Sequence, residues 1–165
     1  MITIITGKIN QYKTTQMIHL FEMNQKGDGF VSLKNMKDNQ VNDYQAMKLS
    51  TQEKRTLLIH EQSNLDVCTP NIKVGPYMMC LSTLHWIENE ISEMIKDLIN
   101  PIYLDEIGLL ELNNQGFHAL LIELIKSNLD LILVVRSNLL DQVISKYHLI
   151  NPIIINALSG GNHVR

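Results

Sequence analysis

Cysteine is nearly absent, with only Cys68 and Cys80 in 165 residues. They lie too far apart for a Cys-x-x-Cys pair, and both read as reduced structural filler in a cytosolic chain. Histidines occur singly (His19, His60, His85, His118, His148 and His163), without the close pairing of a zinc site. No apolar run is long enough to cross a bilayer, and no block of like charge occurs among 14 basic and 17 acidic residues. Neither a nucleic-acid face nor a membrane span is therefore expected, and small molecules are the expected partners. Met1 to Gly7 lacks the basic region, long apolar stretch and cleavage site of an export signal, so a cytoplasmic location is expected. A Gly-x-Ser-x-Gly elbow is also missing.

What is there has the balance of a globular domain, 45% hydrophobic and 19% charged. Neither a repeat nor a low-complexity linker divides it, so a single domain over residues 1–165 is expected, with a frayed tail over 159–165. Residues 2–6 are β-branched and read as a short buried strand ended by Gly7. From Thr14 to about Asn24, Met17, Ile18, Leu20 and Phe21 fall at helical spacing. A second helix is expected over Leu84–Leu98, stopped by Asn100-Pro101, then a strand at Ile102–Asp105 and a helix from about Gln115 to Ser127. The unbroken run Leu131-Ile-Leu-Val-Val135 is a strand buried on both faces, followed by a helix from Ser137 to about Tyr147 and a further strand at Ile153–Ile155. Alternation of such strands with helices predicts an α/β fold with a mainly parallel central sheet flanked by helices. Tyr44–Leu49 and Thr56–His60 flank the polar stretch Ser50–Arg55, which predicts an antiparallel hairpin inserted around residues 44–60.

Chemistry concentrates at two places. Gly7-Lys8-Ile9-Asn10-Gln11-Tyr12-Lys13-Thr14 has the length and setting of a Gly-x-x-x-x-Gly-Lys-[Ser/Thr] phosphate loop, except that Tyr12 stands at the second glycine. In such a loop, backbone amides and the helix N-terminus face the phosphates, the lysine spans their charge and the hydroxyl meets magnesium. Residues Gly7 to Thr15 are thus the nucleotide-binding candidates, with Lys13 on the phosphates and Thr14 on the metal. A turn after an edge strand is the plainer reading of Gly7. The second place is Asp105-Glu106, where an apolar strand ends in two carboxylates. Asp105 suits magnesium and Glu106 suits a base for the attacking water, although such a pair can also simply mark where a strand surfaces. Arg136 follows the strand ending at Val135 and would either meet phosphate charge or begin a surface helix.

Taken in order, Ile4-Ile-Thr-Gly7, Lys13-Thr-Thr15, Gly29-Phe30, Leu104-Asp-Glu-Ile-Gly108 with Glu111-Leu112, and Val134-Val-Arg136 resemble the small nucleoside-triphosphatase family first described from thermophiles. The resemblance runs from Met1 to about Tyr147. It implies a P-loop NTPase fold of the class with an extra catalytic glutamate, and magnesium-dependent hydrolysis of several nucleoside triphosphates. Carried over, Gly7, Lys13 and Thr14 would hold phosphates and magnesium, Asp105 would support the metal, Glu106 would activate water and Arg136 would stabilise transferred charge. The sequence departs from that pattern at Tyr12, in the lack of a further loop glycine, and after Gly29-Phe30, where Val31-Ser-Leu-Lys34 replaces a common Thr-Glu pair.

Three functions follow as alternatives. The first is a magnesium-dependent triphosphatase acting on ATP or GTP. The second is a nucleotide-binding, regulatory or structural relative in which Tyr12 has abolished turnover. The third is a small metabolite kinase, which needs an acceptor pocket and usually a basic lid; no Arg-rich lid segment is present. Tyr12, Tyr77 and Trp86 are the residues on which a base could stack, although Trp86 reads as packing, and the methionines read as core filler.

Overall fold

The strands that are apolar throughout feed two separate cores, one on each face of a single sheet. A computed structural model describes residues 1–63, 68 and 71–157. β1 (Ile2–Gly7) lies between β8 (Leu131–Arg136) and β9 (Ile153–Asn156), parallel to both. Side chains alternate along each strand. Ile4, Leu104, Leu131, Leu133 and Val135 therefore enter one core, and Ile5, Tyr103, Ile132 and Val134 enter the other. The first core is closed by α2 (Leu81–Lys96), α4 (His118–Lys126) and α5 (Leu140–Lys146), through residues such as Ile91, Leu121 and Val143. The second is closed by α1 (Lys13–Asn24), through Met17.

Among the described residues the sheet has nine strands in the order β5 (Asn71–Val74), β6 (Tyr77–Cys80), β4 (Lys54–His60), β3 (Gln40–Lys48), β2 (Asp28–Lys37), β7 (Ile102–Ile107), β8, β1 and β9. β2 (Asp28–Lys37) joins its two halves. Its first residues pair in parallel with β7 (Ile102–Ile107), and from Phe30 onward it pairs antiparallel with β3 (Gln40–Lys48). Asp38 and Asn39 connect β2 to β3 with φ of 50° and 62°, the positive values that a tight hairpin turn demands and that Asp and Asn tolerate. The expected hairpin is present as β3 and β4 (Lys54–His60). It is part of a larger antiparallel extension that includes β2 and a second hairpin, β5 (Asn71–Val74) and β6 (Tyr77–Cys80).

Three sequence expectations are corrected. α2 ends at Lys96, and Leu98, expected on its apolar stripe, adopts φ 57° and is exposed. The helix expected from Ser137 begins as a 3₁₀ turn over Ser137–Leu139 and becomes α-helical only at Leu140. Cys68 and Cys80 are not reduced filler but form a disulfide, with Cα atoms 4.8 Å apart. Asn71 pairs with Cys80 across the β5–β6 hairpin and donates to the Cys68 carbonyl at 2.6 Å. Sequence spacing alone does not reveal that return of the chain. Packing explains Trp86, which is buried edge-to-face on Phe30 under the Arg55 guanidinium. The frayed tail expected over 159–165 lies outside the described residues.

Ile91 is fully buried on α2, so Ile91→Ala removes methyl groups that the surrounding core cannot replace. The substitution is expected to cost about 2–5 kcal/mol, read as a lower urea midpoint at unchanged slope.

Candidate functional site

Parallel strands of an α/β sheet present their carboxyl ends on one edge, where ligands bind. β1, β7 and β8 bring Gly7, Asp105-Glu106 and Arg136 to that edge, and β2 adds the backbone of Ser32. The loop from Gly7 to Thr14 arches over it. Within the loop Lys8 donates its backbone N–H to the Gln11 side-chain oxygen at 2.6 Å. Lys13 Nζ donates to the Lys8 carbonyl at 2.6 Å, and Lys34 Nζ donates to Asn10 Oδ1 at 2.5 Å. Partial burial draws the Lys13 ammonium below the usual lysine range, against the opposing pull of Glu106 and Asp105. α1 starts at Lys13 with no side-chain cap and no acidic residue in its first turn. Its leading amides are therefore left for an anion, which the helix dipole favours.

Tyr12 is the residue that breaks the motif, and the backbone there behaves as glycine would. It adopts φ 28°, a left-handed conformation that L side chains rarely take, with Asn10 at φ 63° nearby. The residue is 59% exposed. The loop thus keeps the turn that glycine normally makes and carries the added ring outside.

Asp105 is 3% exposed and accepts three hydrogen bonds: Thr14 Oγ1 at 2.6 Å, Ser32 N at 3.1 Å and Glu106 N at 2.8 Å. Burial, and then the Glu106 carboxylate beside it, push the Asp105 carboxyl up to about 7. Thr14 and Asp105 together offer only hard oxygen donors. Magnesium usually takes one or two carboxylates and completes its shell with water and substrate phosphates, so these residues fit it. Among the described residues no group of three His, Cys, Asp or Glu is arranged to hold a metal.

Glu106 sits where β7 bulges by one residue against β8, between Leu104 and Ile107. Its φ is 63°. The bulge turns a carboxylate out of the strand end, and Arg136 Nη2 lies 3.7 Å from Glu106 Oε2. Both side chains are partly exposed, so the pair contributes at most about 1 kcal/mol to stability; its position beside the loop is its main interest. Left-handed backbone at a non-glycine residue costs roughly 1–3 kcal/mol and collects at functional sites.

The structure therefore brings Gly7 to Thr14, Asp105, Glu106 and Arg136 together. Within that set the side chains of Lys8 and Ile9 face solvent, as does that of Thr15 on α1, leaving their backbone amides as the groups a phosphate could use. Trp86 is packed away from the loop, whereas Tyr77, on β6, lines a cavity that Glu106 and Arg136 also line. Two residues carry roles that the sequence does not assign. Lys34 reaches over the loop from β2, which no linear pattern signals. Glu111 is buried on α3 (Leu109–Leu112), accepting from Gly108 N at 2.8 Å and Phe117 N at 2.9 Å, and burial raises its carboxyl. It clips the segment behind Glu106 into place. A Cβ on Gly116 would come within 2.6 Å of Glu111 Oε1, so that glycine permits the clip. The resemblance already includes Glu111-Leu112, and a lone carboxylate in the apolar run Leu109-Leu-Glu-Leu112 is the signal for its buried role.

A family model described as NTPase matches residues 2–159. Among solved structures, the crystal structure of THEP1 from the hyperthermophile Aquifex aeolicus superposes with TM-score 0.72 at 19% identity, covering 99% of this chain and 94% of that one. The solution structure of a human cancer-related nucleoside triphosphatase gives TM-score 0.64 at 16% identity, covering 96% and 89%. None of the curated protein sequences matches significantly. The structural likenesses establish the P-loop NTPase fold.

The left-handed backbone at Tyr12 sets an order of stability among variants. Tyr12→Gly is expected within about 1 kcal/mol of the parent, since relief of strain offsets the chain entropy of glycine. Tyr12→Val, β-branched at positive φ, is expected to lose roughly 1–2 kcal/mol. Urea denaturation of the three proteins checks the ranking, and a valine variant as stable as the parent would contradict it.

Proposed function

The chain belongs to the NTPase family, and from that premise we propose that it is a magnesium-dependent nucleoside triphosphatase that releases the γ-phosphate of ATP and GTP. The observation that carries this reading is the 2.6 Å contact of Thr14 Oγ1 with Asp105, next to Glu106 and to an uncapped helix N-terminus. Amides of residues 8–14 and the first turn of α1 would cradle the phosphates, with Lys13 exchanging the Lys8 carbonyl for phosphate oxygens. Thr14 and Asp105 would hold magnesium, which neutralises phosphate charge when bound. Glu106 would accept a proton from the attacking water, and Arg136 would face charge developing on the γ-phosphoryl oxygens. The whole chain is read as one nucleotide-binding domain. No helix among the described residues is long and apolar enough to cross a membrane, and a cytoplasmic location is part of the proposal.

One observation favours a second reading, a relative that has lost turnover. Gln11 and Lys13 both fold back on Lys8 at 2.6 Å, closing the loop on itself. Nucleotide must displace both contacts, and binding is weakened by whatever they contribute.

Purified protein with ATP or GTP and magnesium is expected to release phosphate. Glu106→Gln is expected to slow release by about 100- to 10,000-fold while keeping nucleotide affinity, and chelation of magnesium is expected to stop it. Equal background release from parent and variant, with nucleotide bound by both, would favour the second reading.

A further inference from the structure

Beside the nucleotide site lies a cavity of about 340 Å³, inside the roughly 300–1,000 Å³ range of small-molecule sites. Its walls are apolar, built from Leu57, Val74, Met79, Leu110 and Phe117. Its polar lining includes Ser32, Tyr44, Tyr77, Glu106 and Arg136. Glu111 also lines it, but both carboxylate oxygens are taken by backbone amides. The charged groups left to meet an occupant are therefore Glu106 and Arg136, the pair already proposed to meet the nucleophile and the γ-phosphoryl charge.

Strand order fixes which side of the phosphates the cavity occupies. From the loop after β1 the edge runs through β8 with Arg136, β7 with Asp105 and Glu106, β2 with Ser32, and then β3 with Tyr44 and β4 with Leu57. If Glu106 faces the γ-phosphate, the nucleoside lies at the other end of the phosphate chain. The cavity is then beyond the γ-phosphate, where a nucleophile approaches in line. A site used only for water needs no apolar chamber there.

We propose that this cavity binds an acceptor, a small and mostly apolar molecule bearing one hydroxyl group, and that the chain transfers the γ-phosphoryl group to that hydroxyl. The proposal rests on the nucleotide-site reading above. The acceptor oxygen forms a bond to the γ-phosphorus as the bond from that phosphorus to the β–γ bridging oxygen breaks. Glu106 takes the hydroxyl proton, and the nucleoside diphosphate leaves with the electron pair. The products are a phosphate monoester and the diphosphate. Tyr44 packs edge-to-face on Tyr77 with ring centroids 5.3 Å apart. Burial, with Tyr77 and Glu106 nearby, pushes the Tyr44 phenol up to about 12, so it stays protonated and can donate a hydrogen bond to the acceptor oxygen. The apolar walls set substrate class, since a sugar or other polyol would leave hydroxyls unpaired against them.

The test incubates the full chain with γ-labelled ATP, magnesium and, separately, benzyl alcohol, cyclohexylmethanol or hexanol, and measures phosphate ester and free phosphate. Ester formation with at least one alcohol is expected, and Val74→Trp, which fills the cavity, is expected to lower the ratio of ester to free phosphate by about tenfold or more. Absence of ester with all three alcohols overturns the proposal, whatever the rate of hydrolysis. An ester ratio unmoved by Val74→Trp overturns it as well. So does saturation transfer to adenine but to none of the alcohols, lost in Val74→Trp, because the cavity would then hold the base. Phosphate release without alcohol is scored separately and reports on the hydrolytic reading alone.

Discussion

The Asp105 carboxylate is the interaction on which the site depends. It is buried at the end of β7 and accepts hydrogen bonds from α1, β2 and its own successor, through Thr14, Ser32 and Glu106. A carboxylate so placed is costly unless its lone pairs are satisfied. The three donors meet that cost and in doing so fix three elements relative to one another. The loop from Gly7 to Thr14, the β2 edge and the Glu106 bulge all take their positions from it. Removing the carboxylate would leave the Thr14 hydroxyl and two amides without their acceptor, so the residue holds the site together before any ligand arrives.

Around that fixed point the chain tolerates backbone that side-chain sterics disfavour. Tyr12 and Glu106 both hold positive φ, the first inside the phosphate loop and the second on the bulge. At Tyr12 the conformation belongs to the loop and the residue is the anomaly, so its ring is carried out toward solvent. At Glu106 the conformation aims the side chain, because a regular strand would direct alternate residues up and down through the sheet. Strain therefore sits beside the groups proposed to face phosphate, while the sheet beneath is packed on both faces by Ile4, Ile5, Leu133 and Val134.

Much of this was legible in the sequence because the signals were local. The run Leu131–Val135 announces a strand buried on both faces, and Lys13-Thr14 after a strand and Asp105-Glu106 at the end of another mark the candidate site, where the structure brings them together. The three-layer P-loop fold follows from their alternation. What was hidden depends on distant chain segments meeting. β2 carries no strand signal strong enough to show that it pairs with both β7 and β3, and the Cys68–Cys80 bond depends on the β5–β6 hairpin. Leu98 fits a helical stripe by spacing, yet the helix ends before it. The cavity is hidden for the same reason, since its walls come from β4, β5, β6 and the segment after β7, which no linear motif joins.

The central claim is that the loop from Gly7 to Thr14 still receives phosphate despite Tyr12. A crystal structure with a non-hydrolysable ATP analogue and magnesium tests it most directly. The account predicts phosphates on the loop amides and the first turn of α1, Lys13 Nζ released from the Lys8 carbonyl, Gln11 released from the Lys8 amide, and the γ-phosphate facing Glu106. An analogue bound elsewhere, or a loop still closed on Lys8 at saturating analogue, would contradict it.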